Sequence, residues 1–327
     1  MPSYSGVWTL TAQFQAVGQG LWPPNYIEPR ALISGLYNAT IVNNIDTLIL
    51  TTTGNATDFG DLTAANRLMG ACASTTRGVF AGGAEVNQYN VIQYATFSSS
   101  GNASDFGDLL ANTLEPSGCN SSTRGIIAGG SGTGSGDPTN VIQYITIASV
   151  GNATDFGDLT LARTQAAGAS SPTRGVFAGG YDDNSTEYNN IDYITIASAG
   201  NATDFGDLTV TRSALGGCST STRAVFGGGY VFGPGFTYYN TIDYITIASA
   251  GNATDFGDLS IERGWVGGVA SATQGLFFGG YNATSSTYYN TIEYVTIAST
   301  GNSVDWGDLT RTAYGPAGCS SVNGGVQ

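Results

Sequence analysis

A nine-residue phrase, GNATDFGDL, recurs six times with small variations, opening at Gly54, Gly101, Gly151, Gly200, Gly251 and Gly301. The intervals are 47, 50, 49, 51 and 50 residues. Self-similarity at so regular a period means that the chain is built from one supersecondary unit, stacked because no single copy can bury its apolar face alone. A chain of 327 residues would otherwise point to two domains, and the repeat overrides that prior.

Each copy divides into four short strands. In residues 213 to 260 they are ALGGCSTS, TRAVFGGGY, NTIDYITIAS and ATDFGDLS. The second ends in a glycine doublet, the third alternates apolar and polar residues at period two, and the fourth carries an aromatic and a leucine three apart. Glycine, alanine, serine and cysteine dominate the first, which fits a narrow strand near a crowded axis. With 48 glycines and only 10% charged residues, the composition agrees with many short strands joined by tight turns.

The two ends of the repeat favour a ring over an open solenoid. The first copy begins at its second strand, Arg30 to Tyr37, with no first strand before it. The last copy is followed by a surplus first strand, Thr312 to Ser320, whose Gly318-Cys319-Ser320 matches Gly217-Cys218-Ser219. The C-terminal strand is therefore expected to complete the first copy and remove exposed sheet edges. The fold class expected is all-β, a six-bladed propeller over residues 30 to 327, preceded by a short arm, residues 1 to 29.

The strand order resembles the kelch repeat across residues 30 to 320. The resemblance rests on the doublets Gly82-Gly83, Gly129-Gly130, Gly179-Gly180, Gly228-Gly229 and Gly279-Gly280. It rests also on Phe59, Phe106, Phe156, Phe205, Phe256 and Trp306, which stand where that repeat usually has tryptophan. Phenylalanine replaces tryptophan in five copies, and the first has only Ser34-Gly35.

The net charge of −14 excludes partners. All ten basic residues are arginine, with no lysine or histidine. A nucleic-acid binder needs a basic stripe to displace counterions from phosphates, so neither nucleic acid nor an anionic membrane is an expected partner. An acidic, lysine-free surface suits high salt, hence a marine setting. No segment approaches the ~20 apolar residues of a membrane span, and MPSYSGVWTL lacks signal-peptide character. Nine Asn-x-Ser/Thr matches occur, at Asn38, Asn55, Asn102, Asn120, Asn152, Asn184, Asn201, Asn252 and Asn282. Five fall in the repeated Gly-Asn turn, where the asparagine is expected to bond local backbone.

Catalysis has little to stand on. Without histidine the usual general base, nucleophilic triads and copper sites are missing, so copper-dependent galactose-oxidase chemistry, which some kelch propellers perform, is excluded. Two carboxylates alone could still hydrolyse a glycoside. Cys72, Cys119, Cys218 and Cys319 share one site in the repeat, filled by Ala169 and Val269 in the other copies, so they read as small buried hydrophobes. Paired acids recur in every copy, which argues against a single active site. Their phrase distantly resembles the Asp-box hairpin of sialidase propellers, and a structural calcium is the minor alternative. The principal expectation is a ladder of ion pairs between Arg77, Arg124, Arg174 and Arg223 and the acids Asp61, Asp108, Asp158 and Asp207, with no metal or cofactor.

Variation marks where recognition would lie. The SSTRG and SAGNATD turns share one face and hardly vary. The opposite face carries AEVNQYN, SGTGSGDPTN, YDDNSTEYNN, YVFGPGFTYYN and YNATSSTYYN. Tyr181, Asp182, Asp183, Tyr188, Tyr230, Phe232, Phe236, Tyr238, Tyr239, Tyr281, Tyr288 and Tyr289 are the candidate ligand-binding residues, because tyrosine gives contact area at low entropic cost to sugars or protein. Some of these tyrosines could instead cap the outer sheet edge.

Residues 1 to 29 lie outside the repeat and carry Trp8, Phe14 and Trp22. The segment is too short to fold alone. It resembles an N-terminal phrase of structural and tail-associated proteins of bacteriophages, particularly marine ones, through Gly6, Val7, Trp8, Thr9, Leu10, Gln13, Phe14, Gln15, Ala16, Gly18, Gly20, Trp22 and Pro23. The resemblance implies an arm that attaches the propeller to other virion proteins or to sister copies, and a virion location reached without a signal peptide. The expected role is a non-enzymatic virion appendage recognising a host-surface glycan or protein. The alternatives are a carbohydrate-active hydrolase and a structural subunit of an extracellular filament or shell.

Overall fold

The computed structural model describes residues 28 to 322 apart from residues 39, 133–136, 183–185 and 234. Trp8, Phe14, Trp22 and Asp183 lie outside the described residues. All the regular structure described is β, and among the described residues no helix is long and apolar enough to cross a membrane.

The expected four-stranded units form. In one, Gly70–Ala73, Arg77–Ala81, Val91–Thr96 and Ser104–Asp108 pair antiparallel in chain order. Three more antiparallel units repeat the pattern, with first strands Ser117–Asn120, Ala167–Ser170 and Gly216–Ser219. The larger sheet contains a 17-residue strand, Val304–Ser320, that serves twice. Its first half pairs with Thr287–Thr296, with Asp308 opposite Thr291; its second half pairs with Arg30–Asn38, with Cys319 opposite Leu32 and Gly318 opposite Ile33.

Glycines sit where a side chain would collide with the next unit. Gly82 and Gly83 take φ of 70° and 92°, a region costly for other residues. A Cβ on Gly107 would lie 2.5 Å from the carbonyl oxygen of Gly151. That close approach is stapled by the repeated asparagine, which reaches further than local backbone. Asn102 Oδ1 accepts the Asp61 backbone N–H at 3.1 Å, and Asn152, Asn201, Asn252 and Asn302 repeat the bond to Asp108, Asp158, Asp207 and Asp258. Each Gly-Asn turn thus fastens the fourth strand of the preceding unit.

The apolar core lies between units. Phe106 and Leu109 of one unit pack with Ile127, Ile145 and Ile147 of the next. The cysteines are free and buried, and burial pushes the Cys72 thiol up to about 12. They fill a position matched across the unit boundary. A Cβ on Gly175 would come within 2.7 Å of Cys119 Sγ, and one on Gly78 within 2.7 Å of Cys319 Sγ. Where cysteine is replaced, glycine is too: Ala169 packs in one cluster with Ala224, and Val269 with Ala31.

The ladder of arginines and aspartates expected from the sequence is not what forms. Arg77 lies opposite Thr96 at one end of the third strand, whereas Asp108 lies opposite Val91 at the other. Arg77, Arg124, Arg174 and Arg223 instead stack over Tyr94, Tyr144, Tyr193 and Tyr244, at 4.6, 4.4, 4.4 and 4.3 Å from the ring centroids. Each also donates from Nη1 to a carbonyl of the next unit: Ile147, Ile196, Ile247 and Ile297. The Tyr rings rest edge-on against Phe106, Phe156, Phe205 and Phe256. Asp61, Asp108, Asp158 and Asp207 contribute through their backbone N–H groups. A lysine could not spread over a ring while donating in its plane, which accounts for the use of arginine.

The ion pairs lie elsewhere. Arg163 meets Asp192 at 3.0 Å, Arg212 meets Asp243 at 3.1 Å, and both pairs are fully buried; Arg263 meets Glu293 at 3.5 Å. The acid also accepts from the segment entering the first strand, as when Thr160 donates to both Asp192 oxygens. Charge is matched within each unit. Where the arginine is replaced by Asn66 or Thr113, the acid becomes Gln93 or Gln143, which still accepts from Thr63 or from the Leu110 N–H. Asp46 is the exception. Ala313 holds its arginine position, and burial raises its pKa against the opposing hydrogen bonds from Thr310.

Candidate ligand-binding face

The segments that lead from each fourth strand into the next first strand converge on a central cavity of about 130 Å³. One residue per unit there takes left-handed backbone: Leu68, Glu115, Gln165, Ala214, Trp265 and Gly315, with φ of 59, 54, 55, 54, 53 and 64°. Five of these are not glycine, and each such conformation costs about 1–2 kcal/mol. The residues hold one another in it. Glu115 N–H donates to Leu68 O at 2.9 Å, Gln165 to Glu115 at 3.4 Å, Ala214 to Gln165 at 3.0 Å, Gly315 to Trp265 at 3.3 Å and Leu68 to Gly315 at 3.3 Å. The remaining step is taken by Val266, whose N–H donates to Ala214 O at 3.4 Å.

Side chains above this ring of bonds form a polar knot. Both Glu115 oxygens accept from Gln165 Nε2 at 2.9 Å, and Thr164 Oγ1 donates to the same carboxylate. Gln165 Oε1 accepts from Tyr230 at 3.0 Å. Desolvation raises the Glu115 pKa, against the lowering by these donors and by the Arg67 charge. The same burial, with Glu115 nearby, pushes the Tyr181 hydroxyl up to about 12.

Around the knot runs a continuous belt of rings. Tyr181 meets Phe232 edge-on at 5.8 Å, and Phe232 meets Tyr230 at 5.3 Å. Tyr230 stacks on Trp265 at 4.4 Å, and Trp265 on Tyr314 at 4.7 Å. Tyr281 stacks on Tyr288 at 4.5 Å, and Tyr37 closes on Tyr288 and Tyr314 at 5.6 and 6.1 Å. The Arg67 guanidinium lies over Tyr37 and Tyr314 at 5.0 and 5.4 Å.

Most candidate residues thus come together, but with unequal access. Phe232 and Phe236 are 38% and 41% exposed, whereas Tyr230 and Tyr238, expected as contact residues, are 1% and 5% exposed. Tyr230 is covered because its ring lies on Gly264, where a Cβ would come within 2.7 Å of it. Tyr188 donates to Asp182 at 2.9 Å, a bond within their own loop. Tyr239 and Tyr289 serve the arginine layer: Tyr239 O accepts the Arg263 N–H at 3.3 Å, and the Arg263 guanidinium lies 5.8 Å from the Tyr289 ring. Sequence reasoning missed Tyr37, Arg67, Glu115, Gln165, Trp265 and Tyr314. All but Tyr37 lie in the segments leading into first strands, and a signal was available there: Glu115, Gln165 and Trp265 hold one repeat position that varies in every copy.

Among the described residues no group of histidine, cysteine and acidic side chains could hold a metal ion. Beside the belt is a groove of about 400 Å³ lined by Phe236, Thr237, Tyr238, Glu262, Asn282, Thr284 and Ser285. It falls within the ~300–1,000 Å³ range of small-molecule sites, and the central cavity falls below it.

Four-stranded antiparallel units, with their first strands lining a common cavity, define a protein of the β-propeller type. The solved structure of YjhT aligns with a TM-score of 0.70 at 9% sequence identity, covering 84% of this chain and 94% of that one. At that identity the likeness is one of fold. No protein-family model matches the chain, and no curated protein matches it.

Proposed function

We propose that this chain is a six-bladed, kelch-like propeller closed by its C-terminal strand, and that it serves as a non-enzymatic virion appendage recognising a host-surface glycan. Closure is supported by the pairing of Val304–Ser320 with Arg30–Asn38 and by the backbone bonds that pass from unit to unit around the cavity. The virion assignment is supported by the resemblance of residues 1 to 29, which would dock on other virion proteins or on sister copies.

Recognition is carried by one observation: the aromatic belt and its groove lie on the face whose loops vary most. Exposed rings beside hydroxyl and amide groups suit sugar, whose C–H faces stack and whose hydroxyls bond. Nucleic acid is disfavoured because most of the arginines are engaged within the protein. Arg163, Arg212 and Arg263 are fully buried, and five others, Arg67 among them, lie on tyrosine rings.

Immunogold electron microscopy with antibody against residues 30 to 327 tests the location. Label on particles at constant stoichiometry, with cell adhesion blocked by the purified chain, is the expected result. Label confined to cells or free filaments would discard the virion reading, and polysaccharide turnover by the purified chain would replace it with a hydrolase.

A further inference from the structure

We infer that the groove beside Phe236 is a subsite for the pyranose ring of a neutral sugar, with Phe236 as the stacking platform and the Glu262 carboxylate accepting ring hydroxyls. The inference rests on the glycan-recognition reading and gives it a location and a ligand class.

The platform is built before any ligand arrives. Phe236 is 41% exposed, yet its ring is backed by Phe232, Tyr230 and Tyr238 at 4.9, 5.5 and 6.2 Å. The loop is pinned where the Phe232 N–H donates to Glu187 Oε1. Phe236 and Phe232 are the exposed aromatics among the large exposed hydrophobic residues described, the others being valines and Leu110. An immobilised ring loses little entropy on binding.

The lining contributed by Glu262, Asn282, Thr284 and Ser285 is also fixed. Asn282 Nδ2 donates to Glu262 O at 2.9 Å, while Asn282 Oδ1 accepts the Thr284 and Ser285 N–H groups at 2.9 and 3.3 Å. The next residues are clamped by Gly264 and Tyr281, which exchange backbone bonds at 3.0 and 2.9 Å. Glu262, itself exposed, stands in the groove with Thr237, Thr284 and Ser285 around it. An exposed ring sharing a groove with a carboxylate and hydroxyls suits a pyranose, which has an apolar C–H face and a polar hydroxyl rim. No arginine lines the groove and the chain carries −14, so an acidic sugar would meet uncompensated repulsion.

Saturation-transfer NMR on the full chain with methyl glucoside, methyl galactoside and methyl N-acetylglucosaminide, with glucuronate as the charged control, tests this. A millimolar Kd for at least one neutral glycoside is expected, with transfer concentrated on ring C–H protons and glucuronate weaker. Phe236→Ala and Glu262→Gln should each weaken binding about tenfold. Both side chains are exposed, so unchanged melting curves would establish folding. Failure of every neutral glycoside to bind, or binding untouched by both variants, overturns the subsite. If adhesion of the wild-type chain to host cells survives both substitutions, glycan recognition stands and the groove is the wrong place for it. If wild-type adhesion is itself absent, the broader reading fails independently of the groove.

Discussion

Asn55 Oδ1 accepts the backbone N–H of Asp308 at 3.0 Å, joining residues 253 apart in sequence. It is the same bond that the other Gly-Asn turns make between neighbouring units, here linking the first copy of the phrase to the last. Replacing Asn55 with alanine removes a neutral acceptor from an exposed bond, so a loss of about 0.5–1.5 kcal/mol is expected in urea denaturation. Asn201→Ala should cost the same; a far larger loss at Asn55 would mean that the join between the ends has no reserve.

The packing of Cys119 on Gly175 predicts a rescue. Gly175→Ala puts a Cβ 2.7 Å from Cys119 Sγ and should destabilise by about 1–3 kcal/mol through overpacking. Adding Cys119→Ala should recover most of that loss, because Ala169 with Ala224 is the chain's own version of the pair. Thermal melts of the two single variants and the double variant give the coupling directly.

Arg212 and Asp243 are both fully buried, with the guanidinium also donating to Phe226 O at 3.1 Å. Arg212→Met strands a carboxylate and should cost about 3–5 kcal/mol. The double variant Arg212→Asn with Asp243→Gln copies the residues of the unit that carries Asn66 and Gln93, and should restore much of the stability. Equal losses in the single and double variants would refute charge matching.

Asp46 predicts a pH dependence. Its folded pKa is raised above the ordinary 3.8 by burial, so between those two values the native state holds a proton that the unfolded chain has released. Its contribution is therefore fully favourable below 3.8 and declines as pH rises through the raised pKa. Asp46→Asn should remove that decline while keeping an acceptor for Thr310. Glu115 titrates with the same sign, so the measurement is the difference between wild type and variant in urea midpoints across the acid range.

The architecture was legible because it is written six times: the period, the doublets and the spare C-terminal strand each have a direct structural counterpart. The ion pairs were not, because Arg163 and Asp192 are distant in sequence and become neighbours only when the segment entering the first strand folds over the third. The expected ladder set the arginines opening the second strands against the acids of the fourth, and register holds Arg77 and Asp108 at opposite ends of the strand between them. A signal did exist in the parallel exchange of arginine with asparagine or threonine and of acid with glutamine. The candidate site was half legible. Loop variation singled out Phe232 and Phe236, which are exposed, but composition could not say that Tyr230 would be covered, since that depends on Gly264 in another segment. Glu115 and Trp265 escaped notice because they lie at a position that looked like part of the framework.

The double service of Val304–Ser320 has a consequence for biosynthesis. Ribosomes deliver Arg30–Asn38 long before its partner Val304–Ser320, so the earlier strand must wait, one edge unsatisfied, until the intervening units have been made. A nascent chain stalled before Val304–Ser320 would carry an open edge, and the emergence of that strand would be the event that seals it.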